Sequence, residues 1–173
     1  MSPVPMTRDR LDHIFSQWQQ EAPDLDVSAL AVVGRVLRIA RLLEKHREQV
    51  LAEYGLNVWS FDVLTTLRRQ GPPYQLKPTD LYHLLMLSSG ATTNRIDRLE
   101  ADGIVTRSPD PSDRRSVLVQ LTPKGIALSS QVLPALLQKE KTLLATFTAT
   151  ETDQVVYLLR KFLVSLDESP EPE

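Results

Sequence analysis

Two short stretches carry side chains suited to recognising a polyanion. In "SPDPSDRRSVLVQLTP", residues 108–123, the pair Arg114-Arg115 follows Asp113 at what reads as the tip of a β-hairpin. A guanidinium at such a tip suits a phosphate or a narrow DNA minor groove, where the negative potential is enhanced. Asp113 can hold Arg115 in one orientation, leaving Arg114 for a neighbouring phosphate. A solvated loop with a local ion pair would give the same sequence, and such a pair is worth little in water. In "SSGATTNRIDRLEAD", residues 88–102, the small or polar residues Ser89, Gly90, Thr93 and Asn94 let a backbone approach base edges closely. Asn94 can pair with adenine, and threonines such as Thr92 and Thr93 suit phosphate or thymine. Arg98 lies further along and suits a phosphate. Ser88 is a good helix cap, and the free N–H groups behind it favour an anion.

Catalytic chemistry has no comparable constellation. The three histidines, His13, His46 and His83, fall on three separate predicted helices. There is no His-Glu-x-x-His, phosphate-binding glycine loop, nucleophile elbow or metal-ligand cluster, so no enzyme activity, metal or cofactor is expected.

The elements that must position these residues follow from composition and periodicity. The 173 residues are enough for one domain with a sizeable core, and 42% apolar with 24% charged is ordinary for a soluble globular protein. The formal net charge of -2 does not advertise a polyanion partner, but binding depends on where the cations sit. No cysteine is present, which excludes disulfides and thiolate metal sites. No apolar run approaches the roughly 18 residues of a membrane span, and the N-terminus lacks a secretory apolar core, so a cytoplasmic protein with no membrane partner is expected.

Thr7 can cap a helix over about 8–20, where Leu11, Ile14, Phe15 and Trp18 form one apolar face. A long helix follows over about 28–53, striped by Leu30, Val33, Leu37, Ala40 and Leu43, and Gly55 ends it. Asn57 can cap the next helix, stopped by "GPP" at 71–73. Pro78 opens a short helix, residues 87–89 turn, and a further helix runs to about Asp102 with Thr92, Ile96 and Leu99 inward. Ile104 to Arg107 is the outgoing strand of the hairpin, with a tip too polar to pack. Val117, Val119 and Leu121 face inward on the returning strand. Thr122-Pro123 starts a long helix that Pro134 should kink, and Thr148 to Thr150 begins the last one, with apolar Leu158, Leu159, Phe162, Leu163 and Leu166. The fold class is therefore mainly α with a small β-hairpin. Residues 1–27 form an N-terminal extension helix, 28–166 the main domain with a DNA-binding core at about 57–122, and 167–173 an acidic tail.

Two short helices joined by a tight turn and followed by a hairpin make a winged helix-turn-helix, whose second helix reads a DNA major groove. Periodicity alone fits an ordinary amphipathic surface helix equally well; the hairpin favours the DNA reading. A helical protein-interaction module without DNA binding would leave Arg114-Arg115 and the Thr93-Asn94 face without a purpose.

Residues 87–125, "LSSGATTNRIDRLEADGIVTRSPDPSDRRSVLVQLTPKG", resemble the recognition helix and wing of the multiple-antibiotic-resistance regulator (MarR) family. Element order extends the resemblance over about 28–166. It implies a homodimer interlocked through the helices at both termini, bound to a pseudo-palindromic duplex operator, most often as a repressor. The extra N-terminal helix resembles the PecS-like, urate-responsive subgroup. That subgroup's ligand site falls on Trp18, Asp62, Arg95 and Arg107 here. The implied effector is urate, or a related purine or phenolic anion, whose planar edges match guanidinium forks. Without the resemblance, Trp18 fits a core position and Asp62 and Arg107 fit plain ion-pair partners.

Overall fold

A computed structural model describes the backbone over residues 8–85 and 89–167, and their side chains except those of 89–93, 114, 115 and 167. The chain parts into two compact units, Met1–Val58 and Trp59–Glu173.

The first unit contains α1 (Arg10–Glu21) and α2 (Leu30–Ala52). The sequence suggested Thr7 as the cap of α1, a residue outside the described range. The cap is Asp9, whose carboxylate accepts from the Leu11 and Asp12 N–H groups at 2.7 and 3.1 Å. Asp12 returns a carboxylate to the Asp9 N–H at 2.7 Å, closing a capping box. The unused oxygens of both acids accept from Arg35 of α2 at 2.8 and 2.7 Å. Leu11 packs against Gly34, where a Cβ would come within 3.0 Å of its methyl. The extension helix is thereby tied to the helix that follows it.

In the second unit the order is α3 (Val58–Arg68), β1 (Gln75–Leu76), α4 (Pro78–Leu85), α5 (Ser89–Ala101), β2 (Val105–Asp110), β3 (Asp113–Leu121), α6 (Pro123–Leu143), one 3-10 turn (Leu144–Thr146) and α7 (Ala149–Asp167). Three antiparallel strands form one sheet in the order β1-β3-β2. Its buried centre is Val105, Val119 and Leu121, continuous in type with Phe61, Leu64 and Leu67 of α3, Leu81 of α4, and Val132 and Leu136 of α6. This is the mainly helical fold with a small sheet that the sequence implied.

Three features differ from the sequence reading. A third strand, β1, joins the hairpin through Gln75↔Gln120 and Leu76↔Val119; two residues are too few to show a period. The outgoing strand runs past Arg107 to Asp110 and includes Pro109. Proline is tolerated there because β2 is the edge strand of the order β1-β3-β2, with no partner on its outer side among the described residues. Val117, expected inside, is 43% exposed. At that level the ribbon has run beyond β1, and Val117 pairs only with Pro109.

Candidate nucleic-acid interface

The helix that would enter a groove is α5. Ile96 and Leu99, each 1% exposed, fix its inner face to the core, as their spacing required. Asn94, Asp97 and Arg98 lie on its exposed side. The Ile104 N–H donates to the Leu99 carbonyl and the Gly103 N–H to the Glu100 carbonyl, both at 2.9 Å. Gly103 adopts φ +68°, the left-handed conformation this helix stop requires. Ser89, Gly90, Thr92 and Thr93 occupy the first turns of α5, and their side chains lie outside the described set, as does the whole of Ser88.

The wing's base is built by "LTPKG". Thr122 caps α6, its Oγ1 accepting from the Gly125 N–H at 3.1 Å, with Pro123 in the first turn. The same hydroxyl lies 2.7 Å from the Gly103 carbonyl, to which it can donate. Gly125 lies so close to the wing's first strand that a Cβ would sit 2.3 Å from the Ile104 carbonyl oxygen. Lys124 Nζ donates to the Asp102 carbonyl at 2.6 Å. The end of α5, the root of the wing and the start of α6 are therefore one joint.

The tip is not simply a polar loop, which corrects the expectation that it could not pack. Asp110 is 6% exposed. Its Oδ1 accepts from the Ser112 N–H at 2.8 Å and the Ser112 hydroxyl at 2.7 Å, a turn with Pro111 at its second position. Its Oδ2 pairs with Lys77 Nζ at 3.1 Å. The Ser112 hydroxyl and N–H, then the Lys77 ammonium, hold the Asp110 carboxyl down at about 2. The Asp110 hydrogen bond in turn raises the Lys77 ammonium above its ordinary value. Asp113 stands across the strand pair from Asp110. Arg114 and Arg115 follow it on β3, with side chains outside the described set.

The residues expected to take an effector are placed as follows. Arg107 lies on β2 and reaches back to α5, where its guanidinium pairs with Asp97 and Glu100. Its backbone N–H donates to Glu100 Oε1 at 3.0 Å. Partial burial opposes the charge of Arg107, but the hydrogen bonds it donates to Asp97 and Glu100 outweigh it and raise the guanidinium above its ordinary value. Arg95 lies on α5 with its guanidinium carbon 5.8 Å from the centre of the Trp59 ring, a cation–π distance. Asp62 is half-buried on α3, one turn after Trp59. Trp18 stands on α1 in the first unit and is 42% exposed. Sequence reasoning missed Lys77, Asp110, Asp97, Glu100 and Trp59. Only Trp59 carried a local signal, as a tryptophan one helical turn from Asp62.

Among the described residues no cluster of acidic or histidine side chains could hold a metal ion, and no helix is long and apolar enough to cross a membrane. The arrangement presents an exposed helix face beside a braced β-ribbon, the geometry that reads a groove with one element and a flanking backbone or minor groove with the other.

Comparison with known proteins agrees with this geometry. The MarR family model matches residues 56–117, from the start of α3 into the wing. PecS, a transcriptional regulator of Dickeya dadantii, is 38% identical over 84% of this chain and 88% of its own length. A mutant MarR from E. coli, solved in complex with operator DNA, superposes with a TM-score of 0.67 at 28% identity, over 84% of this chain and 97% of that one. Bordetella bronchiseptica BpsR, solved to show how 6-hydroxynicotinic acid regulates its DNA binding, superposes with a TM-score of 0.66 at 32% identity, over 77% and 94%. An exposed recognition helix, a braced wing and similarity to these regulators across most of the sequence lead to one conclusion: the chain belongs to the MarR family of DNA-binding transcriptional regulators.

Proposed function

We propose that the protein is a cytoplasmic repressor that binds a pseudo-palindromic duplex as a homodimer and leaves it when a planar anion binds. Urate is the effector favoured here, with related purine or phenolic anions next. The DNA contacts assigned are Ser88, Ser89, Gly90, Thr92, Thr93, Asn94 and Arg98 on the recognition helix, and Asp113, Arg114 and Arg115 on the wing. The effector residues assigned are Trp18, Asp62, Arg95 and Arg107.

One observation carries the release mechanism. Arg107 already spends its charge on α5, through Asp97 and Glu100, and Arg95 rests on Trp59. An anion that takes these guanidinium groups removes the contacts that set α5 against the wing and against α3. The recognition helix then shifts and DNA affinity falls, and by linkage bound DNA lowers effector affinity by the same factor. The likeness to PecS supports urate through the subgroup resemblance. The likeness to BpsR favours a second reading, a hydroxylated aromatic acid in the same place.

The homodimer rests on apolar surface. Leu158, Leu159, Leu163 and Leu166 of α7 are exposed in the single chain, as are Val32, Leu37 and Ile39 of α2. Apolar runs of this extent mark an interface rather than a solvated face.

The effector claim is tested by titrating urate, xanthine and 6-hydroxynicotinate into a preformed complex with the protein's own upstream DNA. Urate is expected to release wild type most effectively. Arg95→Ala and Trp18→Phe are expected to blunt release while still binding DNA. Release by 6-hydroxynicotinate but not urate would replace the effector and leave the repressor standing.

A further inference from the structure

We propose that Lys77, Asp110 and Ser112 form a latch that sets the pose of the wing tip on DNA, with Lys77 and Asp110 as positioning residues for operator binding. Beyond Leu76 the ribbon has only two strands among the described residues, and Val117 near its end is exposed, so apolar packing does not hold the tip. A two-stranded ribbon is marginal by itself in water. What is buried there is a carboxylate. Asp110 closes the turn onto Ser112 with one oxygen, at 2.8 and 2.7 Å, and reaches Lys77 with the other at 3.1 Å. Lys77 lies between β1 and α4, so the latch ties the tip to the first helix of the helix-turn-helix. Asp110 is paired in register with Asp113, and Arg114 and Arg115 follow directly. The backbone of β3 that carries those two arginines therefore starts from the latched turn. The carboxyl's strong depression fits a group whose charged form is held by three donors.

The inference rests on the wing touching DNA, and the experiment separates the two. Lys77 could instead meet a phosphate directly, and Asp110 could be mere local turn chemistry. Charge decides between these. On Coulomb grounds alone, Asp110→Asn removes a negative charge near a polyanion and should strengthen binding, as would freeing Lys77 to reach a phosphate. The latch requires the opposite sign.

Binding of a duplex carrying the protein's own upstream region is measured against salt for Arg115→Ala, Lys77→Ala, Lys77→Arg and Asp110→Asn, with hydroxyl-radical footprints and thermal midpoints. The expected result is that Lys77→Ala and Asp110→Asn each weaken binding by roughly tenfold, the scale of one good groove contact. Both should lose minor-groove protection at the edges of the site while keeping protection by the recognition helix, and Lys77→Arg should bind normally. Lys77 is 39% exposed, so its removal is not expected to unfold the protein, and Lys77→Ala carries the test even if Asp110→Asn misfolds. Arg115→Ala weakening with Asp110→Asn binding as tightly as wild type, or tighter, overturns the latch. Lys77→Ala with an unchanged edge footprint does the same. Arg115→Ala without effect removes the wing contact itself, and the latch with it.

Discussion

A methyl group is enough to disturb the joint between helix, wing and α6. At Gly125 a Cβ would lie 2.3 Å from the Ile104 carbonyl oxygen, and that atom is backbone, so the clash is relieved only by shifting the main chain at the root of the wing or at the start of α6. Gly125→Ala is expected to cost about 1–3 kcal/mol, the usual range for overpacking, read as a lowered denaturant midpoint. Asp110 makes a second prediction with a defined sign. Its folded pKa, about 2, lies below the ordinary value of 3.8, so its contribution to stability is fully present above about pH 4 and is lost as pH falls through about 2. Wild type is expected to lose stability relative to Asp110→Asn across that window, the two acid-unfolding curves converging at its lower end. Curves that stay parallel from pH 5 to about 2 would show that the Asp110 carboxylate is not held more strongly by Ser112 and Lys77 in the folded state. Residues of this kind are the ones the sequence conceals. Asp110 and Lys77 are far apart in the chain, and nothing local marks either as a partner of the other. Arg107 could be picked out only by resemblance, and its carboxylate partners Asp97 and Glu100 not at all, because their pairing exists only once β2 has turned back onto α5.

Elements were far more legible than contacts. Ile96 and Leu99 announced the inner face of α5 by spacing alone, and Thr122-Pro123 announced the start of α6 by cap chemistry. Both signals act within one helical turn, where sequence separation and spatial separation coincide. Asp9 displaced Thr7 as the cap of α1 because it has Asp12 three residues on to complete a capping box, and Arg35 to take both remaining oxygens. The strand β1 escaped notice because its identity comes from its partner β3, and Val117 was misplaced because alternation cannot tell where a sheet ends. Cap chemistry gives the prediction at this scale. Thr122→Ala removes the acceptor of the Gly125 N–H and a donor 2.7 Å from the Gly103 carbonyl. A cap alone is worth about 1 kcal/mol. The added link to the end of α5 is expected to loosen the wing as well, seen as faster amide exchange at Ile104 and Val105 than the drop in global stability explains.

At the scale of the whole molecule, α2 of the first unit and α7 of the second each carry a set of exposed apolar side chains. Leu158, Leu159 and Leu163 on α7 would be a liability in a lone protomer. A thermal midpoint that rises with protein concentration is expected, because a folded dimer is stabilised by mass action. Leu159→Glu should abolish that dependence, halve the mass in solution and weaken operator binding, since a single reading head contacts one half-site. A concentration-independent midpoint and a monomeric mass for wild type would remove the dimer. The proposed effector mechanism belongs to this scale too, because it would couple a small site to the position of α5 in each protomer of the proposed dimer. The most direct measurement is a gel shift of the full chain with its own upstream DNA, over a salt series, with and without urate. The expected result is a complex that weakens steeply as salt rises, with a slope of about 0.9 per phosphate contacted, and that dissociates on adding urate. No complex at low salt, or one indifferent to both salt and urate, would contradict the account.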